Sequence, residues 1–163
     1  LVYIEADVAD TDGNPLWSVR SGLFIGGEGG WGGDRGPSNT WELPGRPADT
    51  IISYETRTDQ ALLYRLNGDR NPLHSDPTFA AMAGFDRPIL HGLCTYGFTG
   101  RALLHGACDS DPTRFTSMGG RFKSPVMPGE TLDVHIWADG SDVLFQTRVA
   151  DRVVFDNGNM TRS

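Results

Sequence analysis

The sequence has almost no lysine: Lys123 stands alone against 13 arginines. Arginine's planar fork suits phosphate oxygens better than a point charge does, so the bias permits a phosphate-bearing ligand. It does not point to nucleic acid, because the net charge is −7. Cysteine is scarce as well. Cys94 and Cys108 fall on one predicted helical stretch, about 21 Å apart along its axis at ~1.5 Å per residue, too far to bridge. Two thiols without a disulfide framework suit a reducing compartment, and a cytoplasmic location is expected. No apolar run approaches the ~18 residues that suggest a membrane span. No segment reads as a signal peptide, although Leu1 already stands inside a strand-like run, which leaves room for a targeting segment upstream. The 163 residues are 38% hydrophobic and 21% charged, the balance of a globular chain with one sizeable core.

Glycine, by contrast, is abundant, and alternation is frequent. Residues 1–8 and 16–26 read as two strands joined by turn chemistry at Asp12-Gly13. A lone hairpin is marginal in water, so this pair is expected to belong to a larger sheet. Seven glycines then crowd into 26–36. No helical pattern follows them, which discounts a dinucleotide site. The stretch reads as a flexible linker, or as an ordered loop crossing a partner domain with Trp31 as anchor. Residues 41–50, with Pro44 and Pro47, remain loop-like.

From 51 onward the pattern tightens. A strand (51–58) precedes two short helices, 59–68 and 76–84, with Asp59 and Asp76 as N-caps and Gly68 and Gly84 as stops. Residues 91–108 are apolar nearly all round, the pattern of a buried helix. Its glycines at 92, 97, 100 and 106 allow close approach of neighbouring backbone. The remainder reads as strands: 113–127 with a bulge at Gly119-Gly120, then 131–138, 142–150 and 152–158. In 131–138, Leu132, Val134 and Ile136 take one face, and Asp133, His135 and Trp137 the other. One buried helix enclosed by antiparallel strands is an α+β architecture with a curled sheet.

Chemistry concentrates in "NGDRNPLH" (67–74). Pro72 disfavours helix at Asn71, so a bent loop can bring the Asp69 carboxylate and the His74 imidazole within one water of each other. Such a pair can do general acid–base work. Taken alone, the spacing equally fits a turn-capping Asp69 and a satisfied loop histidine. Asp69, His74 and Asp76 lack a recognised metal spacing, and no metal is expected. A second stretch, "RPILHGLCT" (87–95), runs into the start of the buried helix. There the Gly92 N–H, with no side chain in front of it, can meet a developing oxyanion. His91 is a candidate substrate contact, or simply a capping or packing residue at the helix entry.

Together, "YRLNGDRNPLHSDPTFAAMAGFDRPILHGLCTYG" (64–97) resembles the signature of the MaoC-like, hydratase 2 family. Two motifs in the right order over 34 residues specify more than either alone. The resemblance covers about 50–158. It implies a hot-dog fold, an antiparallel sheet wrapped round a long central helix. It also implies (R)-specific enoyl-CoA hydratase activity. Asp69 and His74 then match the water-activating pair, Asn71 a supporting residue, and Gly92 the backbone donor to the thioester carbonyl. No cofactor is implied, since CoA arrives as part of the acyl-CoA substrate. Arg121 and Lys123 are candidate CoA-phosphate contacts, with surface solvation as the alternative. The N-terminal part resembles the double-hot-dog subset. Residues 1–26 would be the last two strands of a first half whose remainder is absent, 27–49 a crossing segment, and 50–163 the catalytic domain. Pairing with a second half or with another copy is expected, and a peroxisomal location if the source is eukaryotic. A hot-dog thioesterase and a non-catalytic subunit shaping a partner's acyl tunnel are the rival readings.

Overall fold

The computed structural model describes residues 2–23, 25, 27, 29–30, 32–33 and 41–163. Trp31 and much of the glycine-rich stretch lie outside the described residues. The chain divides into two units, Leu1–Thr40 and Trp41–Ser163.

In the first unit, β1 (Val2–Ala9) and β2 (Pro15–Leu23) form an antiparallel ribbon. Its turn is knotted by Asp10, whose carboxylate accepts the N–H groups of Asp12 at 2.9 Å and Asn14 at 2.8 Å. Gly13 supplies the positive φ of 87° that the tight turn requires. Tyr3, Ile4, Trp17 and Val19 are all exposed.

The second unit is built on one five-stranded antiparallel sheet. Its strands are β3 (Thr50–Glu55), β4 (Phe115–Phe122), β5 (Thr131–Asp139), β6 (Asp142–Val149) and β7 (Arg152–Arg162), in the order β3-β5-β6-β7-β4. Against it packs the 16-residue helix α3 (Gly92–Ala107). The alternation in β5 places Leu132, Val134 and Ile136 at 1% exposure or less. Val134, Ile136, Val143, Phe145, Phe155 and Met160 close on Ala102, Leu103 and Ala107 of α3 in a single core. Gly106 explains how closely sheet and helix approach: a Cβ there would lie 2.7 Å from Ile136 Cδ1 and 2.9 Å from Ile52 Cδ1. A register shift between Gly119 and Arg121 bears out the expected bulge. Cys94 and Cys108 are buried and free, with Cys108 just beyond the helix end.

Three expectations are corrected. Asp59 does not cap α1 (Gln60–Arg65) with its side chain; Arg57 engages that carboxylate through two nitrogens, at 2.7 and 2.9 Å. Trp137, placed with the polar face of its strand, is 6% exposed. Segment 41–49 accounts for this: the Trp137 indole donates to the Arg46 carbonyl at 3.0 Å, and Asp49 is hydrogen-bonded to β5 on both sides of Trp137. Trp41 fastens the same segment through a bond from its indole to the Gly158 carbonyl. Lastly, α3 is not buried all round. Leu93, Gly97, Arg101 and His105, spaced four apart, form an exposed stripe, and a Cβ added at Gly97 would meet no atom of another element within 4 Å.

Candidate active site

The polar loop 67–74 is shaped by nested side-chain turns. Asp69 Oδ1 accepts the Asn71 N–H at 3.1 Å, and Asn71 Oδ1 accepts the Leu73 N–H at 3.0 Å. Asn71 thereby starts the single 3₁₀ turn Pro72–His74. Directly after it, α2 (Pro77–Met82) is capped as expected by Asp76, which accepts from Thr78 and Phe79. These local bonds aim His74 inward, at 9% exposure.

His74 Nδ1 lies 2.8 Å from the Ile89 carbonyl. A carbonyl only accepts, so Nδ1 carries the hydrogen and the neutral ring keeps a lone pair at Nε2. The same argument fixes His91, whose Nε2 lies 3.2 Å from the backbone carbonyl of Asp69. The rings of His74 and His91 stack, with centroids 3.7 Å apart and planes at 27°. Tyr64 backs His91 at 4.7 Å. Burial pushes the His91 pKa down, and nearby His74 adds to this; the bond to the Asp69 carbonyl and the Asp69 charge act in the other direction. One side-chain donor atom from each of Asp69, His74 and His91 falls within 4.8 Å of the others. That spacing can hold a shared water between the first two, and it also lies within reach of a cation. Each histidine commits one nitrogen to a backbone carbonyl and keeps a lone pair on the other.

A cleft of about 260 Å³ opens beside this group. It is lined by His74, Leu90, Gly92, Thr95, Phe122 and Lys123, among others. Gly92 is the first residue of α3, where backbone N–H groups have no acceptor within the helix. Phe122 lies across the glycine: a Cβ at 92 would stand 3.3 Å from its ring. Lys123 lines the cleft, but its ammonium is paired with Asp156 at 2.8 Å. Burial raises the Asp156 pKa, yet the bonds from Lys123 and Gln146 outweigh it and hold the carboxyl below its usual range. Arg121 belongs to an adjoining cleft of about 360 Å³ that shares Phe122 and Lys123. Neither Asp69 nor His91, the latter 1% exposed, lines this cleft; His74 alone of the three does. A larger hollow of about 730 Å³, bounded by Pro44, Arg46, Trp137 and Asn159, contains none of the motif residues. Cys94 offers no nucleophile, since burial pushes its thiol up to about 11.

Sequence reasoning passed over Phe122 and Tyr64. Phe122 stands between two flagged cations, and only the glycine beneath it shows what the ring covers. Thr95 closes the quoted second motif yet received no role. It is 3% exposed at the cleft wall, and its carbonyl accepts the Thr99 hydroxyl.

The family model described as a MaoC like domain matches residues 39–158. The chain belongs to this family. It is 52% identical over 140 residues to an enoyl-CoA hydratase, ChsH3, of Mycobacterium tuberculosis, covering 86% of this chain and 49% of that protein. It is 45% identical to the peroxisomal enoyl-CoA hydratase 2 of Arabidopsis thaliana, covering 86% of this chain and 48% of the relative. Among solved structures, a MaoC-like dehydratase from Phytophthora capsici superposes with a TM-score of 0.86 at 38% identity, covering 99% of this chain and 56% of that one. The full-length peroxisomal multifunctional enzyme type 2 of Drosophila melanogaster gives 0.84 at 39%, covering 99% and 30%. The hot-dog fold is thereby established for this chain. It spans half or less of the length of these two hydratases.

Proposed function

We propose that this MaoC-like chain carries the catalytic half of an (R)-specific enoyl-CoA hydratase, adding water reversibly and syn to a trans-2-enoyl-CoA to give a (3R)-3-hydroxyacyl-CoA. The observation that carries the proposal is the approach of Asp69 to His74, with His74 and Gly92, at the N-terminus of α3, lining one cleft. The Asp69 carboxylate and the His74 Nε2 lone pair are two acceptors, and a water has two protons to give them. Gripped so, its oxygen faces C3 of the substrate. The thioester carbonyl at the Gly92 N–H draws electron density toward oxygen and leaves C3 electrophilic. As the C3–O bond forms, one water proton passes to the pair, and a proton is returned to C2 on the same face. Asn71 keeps the loop in shape. Arg121 and Lys123, which line neighbouring clefts, meet the CoA phosphates on this reading, with Lys123 first exchanging Asp156 for the ligand. CoA enters with the substrate, and no resident metal or redox group takes part.

On this reading residues 1–26 are the last two strands of a first hot-dog half whose other strands come from elsewhere, and 27–49 cross to the catalytic domain. The relatives' greater lengths support that arrangement. The test is incubation with short- and medium-chain trans-2-enoyl-CoA, with chiral resolution of the product and Asp69→Asn as control. A (3R)-hydroxyacyl-CoA that disappears in the variant is expected. Release of free CoA thiol would instead identify a thioesterase. If activity requires a partner half and survives Asp69→Asn here, this chain is instead a tunnel-shaping subunit.

A further inference from the structure

His91 is buried at 1% exposure, touches both members of the proposed pair, and lines none of the clefts described above. Its Nδ1 is buried and has no partner among the described residues. An unpartnered buried nitrogen costs stability. A residue needed only to fill this space would be apolar, as Leu90 beside it is. The two features of the imidazole in use are therefore its Nε2–H, which holds the Asp69 carbonyl, and its flat face, which lies against His74. Both act on residues separated by the bent loop, and both set where that loop stands over the helix N-terminus.

We infer that His91 is a positioning residue: it pins the Asp69 backbone through Nε2–H and sets the plane of His74 by stacking, fixing the separation at which the pair can hold one water. The inference rests on the hydratase reading for its kinetic consequence, though not for the pinning itself. His91 acts on the geometry of the reacting groups rather than on substrate affinity, so its loss appears in kcat and leaves KM close to wild type.

Two substitutions in the full 163-residue chain separate the contributions. His91→Phe keeps a flat ring and removes the donor. His91→Asn keeps a donor and removes the ring. Amide hydrogen exchange of loop 67–75 is compared with kcat, KM and thermal midpoint in each. In His91→Phe, loop exchange is expected to quicken roughly two- to tenfold and kcat to fall by up to about a hundredfold. Its thermal midpoint holds or rises, because the unpartnered nitrogen is gone. His91→Asn restores loop protection but recovers only part of kcat. Unchanged loop exchange in both folded variants would overturn the inference, as would a raised KM with unchanged kcat. If wild type turns over no enoyl-CoA, the hydratase reading fails, and the exchange comparison still decides whether His91 pins the loop.

Discussion

At the scale of single residues, the proposed acid–base pair and its support make distinct demands. If Asp69 and His74 share one water, Asp69→Asn and His74→Gln each cost roughly 10²–10⁴-fold in kcat/KM, with far-ultraviolet dichroism unchanged. A steady-state assay on a medium-chain enoyl-CoA checks this. His91, buried, and His135, half-buried, also set a pH dependence of stability. Burial lowers the His91 pKa, with His74 adding to it; burial lowers that of His135 too, with Arg148 adding to it. In the unfolded chain both bind a proton near the ordinary value of 6.5, whereas the folded chain resists it. Above that value neither form is charged and nothing is lost. As pH falls through 6.5 toward the depressed folded values, the unfolded state gains protons first and stability declines. Thermal midpoints measured from neutral pH downward are expected to fall over this window, and less steeply in His91→Phe. An equal slope in the variant would remove His91 from the account.

At the scale of elements, close approach decides what a substitution costs. At Gly158 a Cβ would stand 2.2 Å from the Phe145 carbonyl oxygen, so β6 and β7 must part to admit alanine. Gly158→Ala is expected to cost about 1–3 kcal/mol, a fall of roughly 2–12 °C in thermal midpoint. Gly92→Ala differs, because the atom it meets is the half-exposed ring of Phe122, which can swing. That variant should fold with a near-native midpoint yet lose kcat/KM as the methyl intrudes on the thioester. Most elements were legible in the sequence because strand alternation, the Asp76 cap and Gly84 at φ 84° are local signals. Asp59 misled because Arg57, two residues upstream, competes for its carboxylate. Trp137 misled because what covers it is a segment some ninety residues earlier. The exposed stripe of α3 was hidden because leucine and glycine there read as core. For the site, motif order led to Asp69, His74 and Gly92. The stacking of His74 on His91, and the ring of Phe122 over Gly92, depend on contacts between separate elements, which no spacing encodes.

At the scale of the molecule, the family match spans 39–158, while the β1–β2 ribbon bears exposed apolar side chains at Tyr3, Ile4, Trp17 and Val19. No described helix is long and apolar enough to cross a membrane. An isolated two-stranded ribbon is marginal, and unpaired edges invite another strand. The 17.8 kDa chain is therefore expected to self-associate with concentration in sedimentation velocity. Trp17→Lys should weaken that association. A monomer at all concentrations would count against the ribbon as a pairing surface.

The stacked imidazoles have a spectroscopic consequence. Each ring lies in the ring current of the other, so the carbon-bound protons of His74 should resonate away from their free-imidazole positions. A ligand that tilts His74 by a few degrees, or displaces it from its neighbour, moves those signals back. Selective labelling of the four histidines would turn the stack into an intrinsic gauge of ligand arrival, readable before any bond to the substrate forms.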